Sequence, residues 1–386
     1  MSFRTIQGGA ASRRGVARLP HDRSDLLWSG GEPTALFLDS IDRWVDAMVA
    51  DEHGGGGGPD GLAEAIITAK ASGTLCGRPV VERLLERHFP ECSIEWTLEE
   101  GEQVYPAQVP ADLLVRLGAT HRGGIEEALV SGGGLATLQG PAVDILRLER
   151  IVLNLLGRLS GIATNTARWV AAAHPMQVAA TRKTEWGLLD KWAVHIGGGL
   201  THRLDRGDAL LVKENDTKAM EKWEGLLIGD ALKGGSIWDA YEDLAGPDSG
   251  FLAVEVQSVN QALGKAGNWS FCKRNTSIDP EGDKRIVILL DNMTSGQASM
   301  VHRSLRTEGD RTQRTKGLGL PLVGMGTIFE QNPLDIRDEV ILEGSGRVDY
   351  DSLEQWSDSG VDLVSSSALN RGVAPLDLSM LIIRCE

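Results

Sequence analysis

The strongest constraint on the fold is a theme that recurs through the second half of the chain. A short apolar segment ends at a polar or charged residue, and a helix-forming segment follows. The repeats are MQVAA before Thr181, ALLV before Lys213, FLAV before Glu255, RIVILL before Asp291, EVIL before Glu343 and VDLV before Ser365. Alternating strands and helices predict a parallel sheet. Polar groups at the carboxyl ends of successive strands predict an α/β barrel with its site at that edge.

Composition limits the classes of protein that fit. A chain of 386 residues can bury more than one core, so we expect two domains. Its formal net charge of -15 would repel phosphate backbones, which argues against a nucleic-acid partner. Apolar runs stay shorter than the roughly 20 residues that cross a bilayer, which argues against a membrane partner. The four cysteines are scattered without metal-ligand spacing, which favours reduced thiols in a cytoplasmic protein.

The N-terminal part is expected to form a smaller domain of its own. Residues 1–30 are basic and lack the apolar core of a secretory signal, so they predict a flexible tail. Residues 31–148 alternate between strand-like and helical pieces, which predicts an α/β layer domain. Helices are predicted over 33–50, 80–88 and 111–130.

A long amphipathic helix is predicted to begin at Glu149. Apolar residues recur there at helical spacing, namely Ile151, Leu155, Leu159 and Ile162. Arg150 lies off this stripe, and the pattern leaves open whether it is an exposed surface charge or a functional group.

Cationic and imidazole side chains are concentrated just downstream, which is unusual in so acidic a chain. They are Arg182, Lys183, His202, Arg203 and Lys213. Together they predict a pocket of charge-assisted donors for a small dicarboxylate or a phosphorylated sugar.

Two acids at the ends of later strands can accept hydrogen bonds or bind a cation. Glu255 and Asp291 can accept hydrogen bonds from sugar hydroxyls or bind Mg²⁺, which prefers carboxylate and phosphate oxygens. The last two strand ends, EGSGR and SSSALNRG, offer hydroxyls and backbone N–H groups for a terminal phosphate. The residues themselves therefore predict an enzyme that joins an anionic small molecule to a phosphorylated sugar, and they do not by themselves name the reaction.

Several strings in series resemble the quinolinate phosphoribosyltransferase (nicotinate-nucleotide pyrophosphorylase) family. They are ERIVLNLLGRLSGIAT, TRKT, KWAVHIGGGLTHRL, DALLVKEN, VEV, LLDN and GVDLVSSSAL. The resemblance spans roughly residues 131–378. It implies the type II phosphoribosyltransferase architecture: an N-terminal α/β sandwich over residues 31–148, an open α/β barrel over 149–373, and a C-terminal segment 374–386 that packs back on the sandwich.

The resemblance also implies a reaction and a role for each candidate residue. The family converts quinolinate and phosphoribosyl pyrophosphate, with Mg²⁺, into nicotinate mononucleotide, pyrophosphate and CO₂ in NAD biosynthesis. Arg182, Lys183, His202, Arg203 and Lys213 would hold the quinolinate carboxylates, and Lys183, Glu255 and Asp291 would be the catalytic groups. Glu255 and Asp291 would also take the ribose hydroxyls and the metal, and Ser345, Gly346 and Ser367 the 5′-phosphate. Arg150 would reach the partner's site in a homodimer or higher homo-oligomer.

This sequence departs from the family pattern at several positions. Trp186 replaces the proline that follows TRKT, and Arg347 replaces the second glycine of the Ser-Gly-Gly phosphate loop. The segments 262–284 and 294–320 are longer than usual. These departures leave two alternatives open: a divergent phosphoribosyltransferase for another aromatic acid, and a non-catalytic protein that binds a pyridine dicarboxylate.

Overall fold

The computed structural model describes most of the chain, over residues 19–52, 58–106, 134–213, 216, 249–275, 285–306 and 337–385. The strands in chain order are β1 (Trp28–Ser29), β2 (Glu32–Pro33), β3 (Leu62–Ala69), β4 (Gly73–Thr74), β5 (Ser93–Trp96), β6 (Gln103–Val104), β7 (Gly134–Pro141), β8 (Gln177–Ala179), β9 (Leu210–Val212), β10 (Leu252–Val256), β11 (Ile286–Asp291), β12 (Val340–Ser345), β13 (Leu363–Ser365) and β14 (Leu378–Cys385). The α-helices are α1 (Ala35–Asp51), α2 (Arg78–His88), α3 (Ala142–Ala173), α4 (Leu188–Ile196), α5 (Val259–Asn275), α6 (Ser295–Arg306) and α7 (Leu353–Ser357).

The chain divides into two compact units. The first unit comprises Met1–Ala171, Ala180–His202 and Ser367–Glu386, and the second comprises Ala172–Ala179 and Arg203–Ser366. The chain therefore passes between the units more than once. This division differs from the sequential domains 31–148 and 149–373 that the sequence predicts, because α3 belongs almost entirely to the first unit.

The first unit is built on an antiparallel sheet with the strand order β14-β3-β7-β5. Neighbours along a strand point to opposite faces of a sheet. Ile66 and Ile67 on β3 are 1% and 0% exposed, so both faces of the sheet are covered there. The C-terminal strand β14 pairs with β3, which is the segment that we expected to pack back on this domain.

Helix α3 carries the most specific sequence motif, and much of that motif is structural. An added Cβ at Gly161 would lie 2.4 Å from the carbonyl oxygen of Ala374, so only glycine lets the C-terminal segment pass this close. The Leu376 N–H donates to the Gly157 carbonyl at 2.8 Å. The hydroxyl of Ser160 accepts from the Cys76 N–H at 2.9 Å.

The predicted start of this helix at Glu149 is wrong. The helix begins at Ala142, because the apolar stripe continues upstream through Ile145 and Leu148, which are 1% and 0% exposed.

The second unit contains a six-stranded parallel sheet with the order β8-β13-β12-β11-β10-β9. Within the described residues no pairing joins β8 to β9, so the barrel is open. Residues 286–290 of β11 are all buried, as expected for a central parallel strand covered on both faces. The predicted open α/β barrel is confirmed.

Some predictions fall on parts of the chain that the structure does not describe. The helix predicted over 111–130 lies outside the described residues. The two segments that are longer than usual, 262–284 and 294–320, are described only in part. Helix α5 covers the first part of 262–284, and α6 covers the first part of 294–320.

The structure corrects the predicted tail for residues 19–30. Ser24–Leu26 form a 3-10 helix, Leu27 is 0% exposed, and the Leu27 carbonyl accepts from the Thr34 N–H at 2.9 Å. Residues 1–18 lie outside the described residues. Throughout the described part of the chain, each helix is too short or too polar to span a bilayer.

Candidate active site

Strand register in the second unit brings polar side chains onto one face of the parallel sheet. Glu255 on β10 is in register with Leu289 on β11, which is in register with Glu343 on β12. Residues in register on parallel strands point to the same face, and so do residues two apart on one strand. Asp291, two residues beyond Leu289, therefore shares this face and is in register with Ser345.

Lys213 extends this row of side chains from the neighbouring strand. Val212 on β9 is in register with Val254, which places Lys213 beside Glu255. The Lys213 ammonium donates to the Glu255 carboxylate, whose side chain is only 10% exposed, against 44% for Lys213. One predicted cation and one predicted acid are thus a single ion pair, open to solvent on its cationic side.

Asp216 holds the backbone at the end of β9. Its carboxylate accepts from the Lys213 N–H at 3.0 Å and from the Arg206 guanidinium at 2.8 Å. Burial would raise the pKa of Asp216, but the hydrogen bonds from Arg206 and Lys213 outweigh it and lower the pKa below its usual value. The carboxylate therefore stays ionised and holds the Lys213 backbone, from which the lysine side chain leaves.

A hydrogen bond connects the carboxyl ends of the neighbouring parallel strands β11 and β12. The Asn292 N–H donates to the Ser345 carbonyl at 2.9 Å, and the Asn292 amide donates to the Asp291 carboxylate at 2.8 Å. A Cβ at Gly346, whose φ is +81°, would lie 2.5 Å from the Asn292 side-chain oxygen, so this position requires glycine. Arg347 has φ of 56°, so an arginine adopts the left-handed backbone that the family's second glycine favours.

Glu343 is an acid of the same face, and the sequence predicts it as a strand end but not as a site residue. It is 0% exposed and accepts a hydrogen bond from the hydroxyl of Ser365. Its signal in the sequence is that it is the first polar residue after EVIL. Only the register shows that it shares a row with Glu255.

Sequence boundaries at the other strand ends were close to correct. Glu255 lies within β10 rather than beyond it, because the strand continues through Val256.

Arg203 is 5% exposed, and its guanidinium donates to the Ala209 carbonyl at 3.2 Å. This contact supports the segment that leads into β9, so Arg203 has a structural contact besides its predicted role.

In the first unit, Arg182 and Lys183 lie on the loop between β8 and α4. Both side chains are exposed, and among the described residues neither forms an ion pair. The loop itself is fixed, because the Lys183 N–H donates to the Thr181 hydroxyl at 3.0 Å and the Lys183 carbonyl accepts from Asn370 at 3.1 Å. Two open cations on a fixed backbone suit the binding of an anionic ligand.

Asp190 fastens the rest of this loop. This carboxylate is 0% exposed and accepts from the Glu185 N–H at 2.9 Å and the Trp186 N–H at 3.2 Å. It also accepts from Asn370 at 3.1 Å and from both Nε and Nη2 of Arg158 at 3.0–3.2 Å. We call Asp190, Arg158 and Asn370 the loop clamp.

Trp186 explains how this chain manages without the family's proline. Its ring lies 4.8 Å from the Arg158 guanidinium carbon and stacks on Trp44 of α1 at 5.4 Å. Aromatic stacking and a cation–π contact restrict the loop where a proline ring would restrict φ. The substitution thus keeps the loop constrained by another means.

The loop clamp gives a direct prediction. Asp190→Asn removes the buried charge that faces Arg158 and turns one acceptor into a donor that points at other donors. We expect a loss of about 3 kcal/mol in the free energy of unfolding. The KM for the anionic substrate that Arg182 and Lys183 bind should rise about tenfold, because these two residues lose their fixed backbone.

Denaturant unfolding and steady-state kinetics would measure both effects. Asp144→Asn is the matched control, because Asp144 makes a surface ion pair with Arg147 at 3.5 Å on α3 and should change neither. An unchanged KM in a destabilised Asp190→Asn protein would limit the clamp to a folding role.

The glycines before His202 allow its loop to approach α3. A Cβ at Gly197 would lie 2.4 Å from the Ala163 carbonyl oxygen, and one at Gly199 would lie 2.8 Å from the Val194 side chain. His202 itself is 5% exposed and has φ of 55°. A histidine in this sparsely populated region is held by its surroundings, which is common at functional sites.

The remaining candidates have simple surroundings. Arg150 is a largely exposed residue of α3, 3.7 Å from Glu149. Ser367 begins a 3-10 helix, where its carbonyl accepts from the Arg371 N–H at 2.8 Å. In the second unit, the structure joins Lys213 with Glu255, and it brings Asp291 together with Ser345 and Gly346. In the first unit, it places Arg182, Lys183 and His202 on two fixed loops.

An open parallel α/β barrel with charged strand ends, accompanied by an antiparallel α/β sandwich, defines the class as the type II phosphoribosyltransferase architecture. Two family models match the chain: the quinolinate phosphoribosyl transferase N-terminal domain over residues 46–160 and its C-terminal domain over residues 162–316 and 321–381. The chain belongs to the quinolinate phosphoribosyl transferase family.

Named relatives agree with this assignment. The chain is 30% identical over 334 residues to the chloroplastic nicotinate-nucleotide pyrophosphorylase (carboxylating) of Oryza sativa, covering 84% of this chain and 70% of the relative. It is 28% identical over 354 residues to a probable nicotinate-nucleotide pyrophosphorylase (carboxylating) of Synechocystis, covering 89% of this chain and 93% of the relative.

Solved structures support the fold. The nicotinate-nucleotide pyrophosphorylase of Francisella tularensis matches with a TM-score of 0.59 at 21% identity, covering 89% of this chain and 96% of that one. NadC from Streptococcus pyogenes matches with a TM-score of 0.60 at 22% identity, covering 89% and 97%.

Proposed function

We propose that this protein is a quinolinate phosphoribosyltransferase. It transfers the phosphoribosyl group of phosphoribosyl pyrophosphate to quinolinate and releases pyrophosphate and CO₂, which gives nicotinate mononucleotide for NAD biosynthesis. The observation that carries this proposal is the row of Lys213, Glu255 and Asp291 on one face of the parallel sheet, in a chain of this family. In this row, Lys213 is a cation that can bind a quinolinate carboxylate, and Glu255 and Asp291 can accept hydrogen bonds from the ribose hydroxyls.

The cations bind and orient the two carboxylates of quinolinate. Arg182 and Lys183 offer exposed donors from the clamped loop, and His202, Arg203 and Lys213 complete the predicted set. Loss of pyrophosphate from the anomeric carbon builds oxocarbenium-like charge, so the main task is to position the pyridine nitrogen against that carbon. Once the nitrogen is quaternised, the neighbouring carboxylate leaves as CO₂, because positive charge stabilises the resulting carbanion. That carbon then takes a proton from solvent, which gives the C–H bond of nicotinate mononucleotide.

The two acids act on the ribose side. Glu255 and Asp291 accept from the ribose hydroxyls, and we assign Lys183 to the chemical step as well. Their carboxylate oxygens share one face and are the ligand type that Mg²⁺ prefers, so they fit a magnesium ion held jointly with the pyrophosphate. When bound, the ion would neutralise charge on the departing pyrophosphate.

The turn at Ser345 and Gly346, with Ser367, is the proposed 5′-phosphate site. Gly346 keeps the close approach to Asn292, and Arg347 keeps the left-handed backbone. The guanidinium of Arg347 is exposed, so it can add a charged contact that a glycine lacks. The departure at this position therefore does not argue against phosphate binding.

The proposal extends to assembly and location. We propose a homodimer or a higher homo-oligomer in which Arg150 reaches the partner's site, since its side chain is 63% exposed on α3 and its ion pair with Glu149 is long, at 3.7 Å. A cytoplasmic location fits the free thiols of Cys76, Cys92 and Cys385, although the rice relative is named chloroplastic.

The test is quinolinate-dependent formation of nicotinate mononucleotide with phosphoribosyl pyrophosphate and Mg²⁺. We expect pyrophosphate and CO₂ in equal amounts, and loss of activity with a chelator. Pyrophosphate release with another aromatic acid but not with quinolinate would favour the divergent transferase. Binding of quinolinate without any binding of phosphoribosyl pyrophosphate in calorimetry would favour the non-catalytic protein.

A further inference from the structure

The segment that enters the first unit ahead of α1 packs directly against the loop of His202. The Arg23 N–H donates to the Thr201 hydroxyl at 2.7 Å, and that hydroxyl donates to the His21 carbonyl at 3.3 Å. Asp22 lies 3.8 Å from the His195 imidazole at the end of α4. Residues 21–23 therefore contact the chain just before this loop, at His195, and within the loop, at Thr201.

The Thr201 residue is also held from the other side. The Lys191 ammonium, on α4, donates to the Thr201 carbonyl at 2.6 Å. Thr201 is 0% exposed and Lys191 is 2% exposed. Because this carbonyl belongs to the peptide that links Thr201 to His202, its contacts fix the backbone from which the imidazole of His202 leaves.

The His21 side chain reaches the imidazole itself. The rings of His21 and His202 meet edge to face, with their centroids 5.0 Å apart and an interplanar angle of 75°. His21 is 0% exposed, so its contacts are with the protein groups packed around it, His202 among them. Edge-to-face packing fixes the plane of an aromatic ring.

We propose that His21 is a positioning residue of the quinolinate site, which sets the orientation of the His202 imidazole while the backbone of residues 21–23 fixes the loop through Thr201. The inference rests on the proposed function, because it assigns His202 to a quinolinate carboxylate. Small displacements of a substrate-holding group are costly, so His21 should matter for the binding of quinolinate and not for that of the sugar phosphate.

The test compares His21→Ala with His21→Phe in the full-length protein. We expect His21→Ala to raise the KM for quinolinate about tenfold or more and to leave the KM for phosphoribosyl pyrophosphate within about twofold. His21→Phe keeps a flat ring against His202 and should recover most of the loss. Thr201→Val removes both hydroxyl hydrogen bonds at constant shape and should shift the quinolinate KM in the same direction.

Ile41→Ala is the matched control, because Ile41 is fully buried on α1 in the same unit. It should lower the melting temperature without changing the quinolinate KM. Two results would overturn the inference: an unchanged quinolinate KM in His21→Ala, or an equal rise in both KM values that Ile41→Ala reproduces. A wild-type protein that neither binds nor converts quinolinate would instead refute the proposed function, and the positioning role with it.

Discussion

Lys213→Met is expected to lower kcat/KM for quinolinate by about 10²- to 10³-fold, the loss that follows removal of one preorganised charged group from an active site. Methionine keeps most of the length of the lysine side chain and removes the charge. The ammonium lies beside Glu255 in a row that also includes Leu289 and Glu343, so no neighbouring cation of that row can replace it.

The same substitution should also destabilise the protein, for a separate reason. The Glu255 side chain is 10% exposed and, among the described residues, its carboxylate is paired with Lys213. Removing one member of a partly buried ion pair leaves an uncompensated charge and costs about 1–3 kcal/mol. Loss of activity in Lys213→Met would therefore not by itself separate a role in binding from a role in folding.

The double variant Lys213→Met with Glu255→Gln separates them. It removes the unpaired charge, so the free energy of unfolding should return towards the wild-type value while quinolinate binding stays lost. Binding is measured by calorimetry and not by turnover, because Glu255 itself is assigned to the ribose side of the reaction. Lys265→Ala is the matched control, because this lysine lies on α5 in the same unit and should leave both quantities unchanged. If quinolinate binding returned together with stability in the double variant, Lys213 would be a structural counterion and not a ligand of quinolinate.

The strands of the barrel could be predicted from the sequence because their signals are local. An apolar run such as RIVILL ends at Asp291, and the structure ends β11 at that residue. The row that joins Lys213, Glu255 and Glu343 could not be predicted, because it depends on register between strands. An acid that follows a strand has the same local pattern whether it belongs to the site or caps a helix.

The support of the loops was hidden for the same reason. Asp190 is joined to Arg158 across 32 residues and to Asn370 across 180, and no local period connects these positions. The segment around His21 has no helical or strand spacing, so composition predicted a tail. Its order comes from Thr201, 180 residues away in the sequence. Contacts of this range define the geometry of the candidate site, while periodicity defines only the elements that carry it.

Mixing two inactive variants is expected to restore activity if sites are shared between protomers. Arg150→Ala removes the cation that we assign to the partner's site, and Lys183→Ala removes one from the protomer's own site. A mixed dimer then holds one site that lacks both groups and one intact site. With random pairing, half the dimers are mixed and each has one working site, so activity should reach about a quarter of the wild-type value.

The controls decide what a recovery means. Each variant denatured and refolded without the other should stay inactive, and Arg147→Ala, on the same helix as Arg150, should keep activity because its ion pair with Asp144 is a surface contact. Absence of recovery in dimers verified as mixed by differential tagging would place Arg150 outside any shared site. Since Arg150 is an exposed residue of a helix whose opposite side is buried, α3 would then serve only as scaffold.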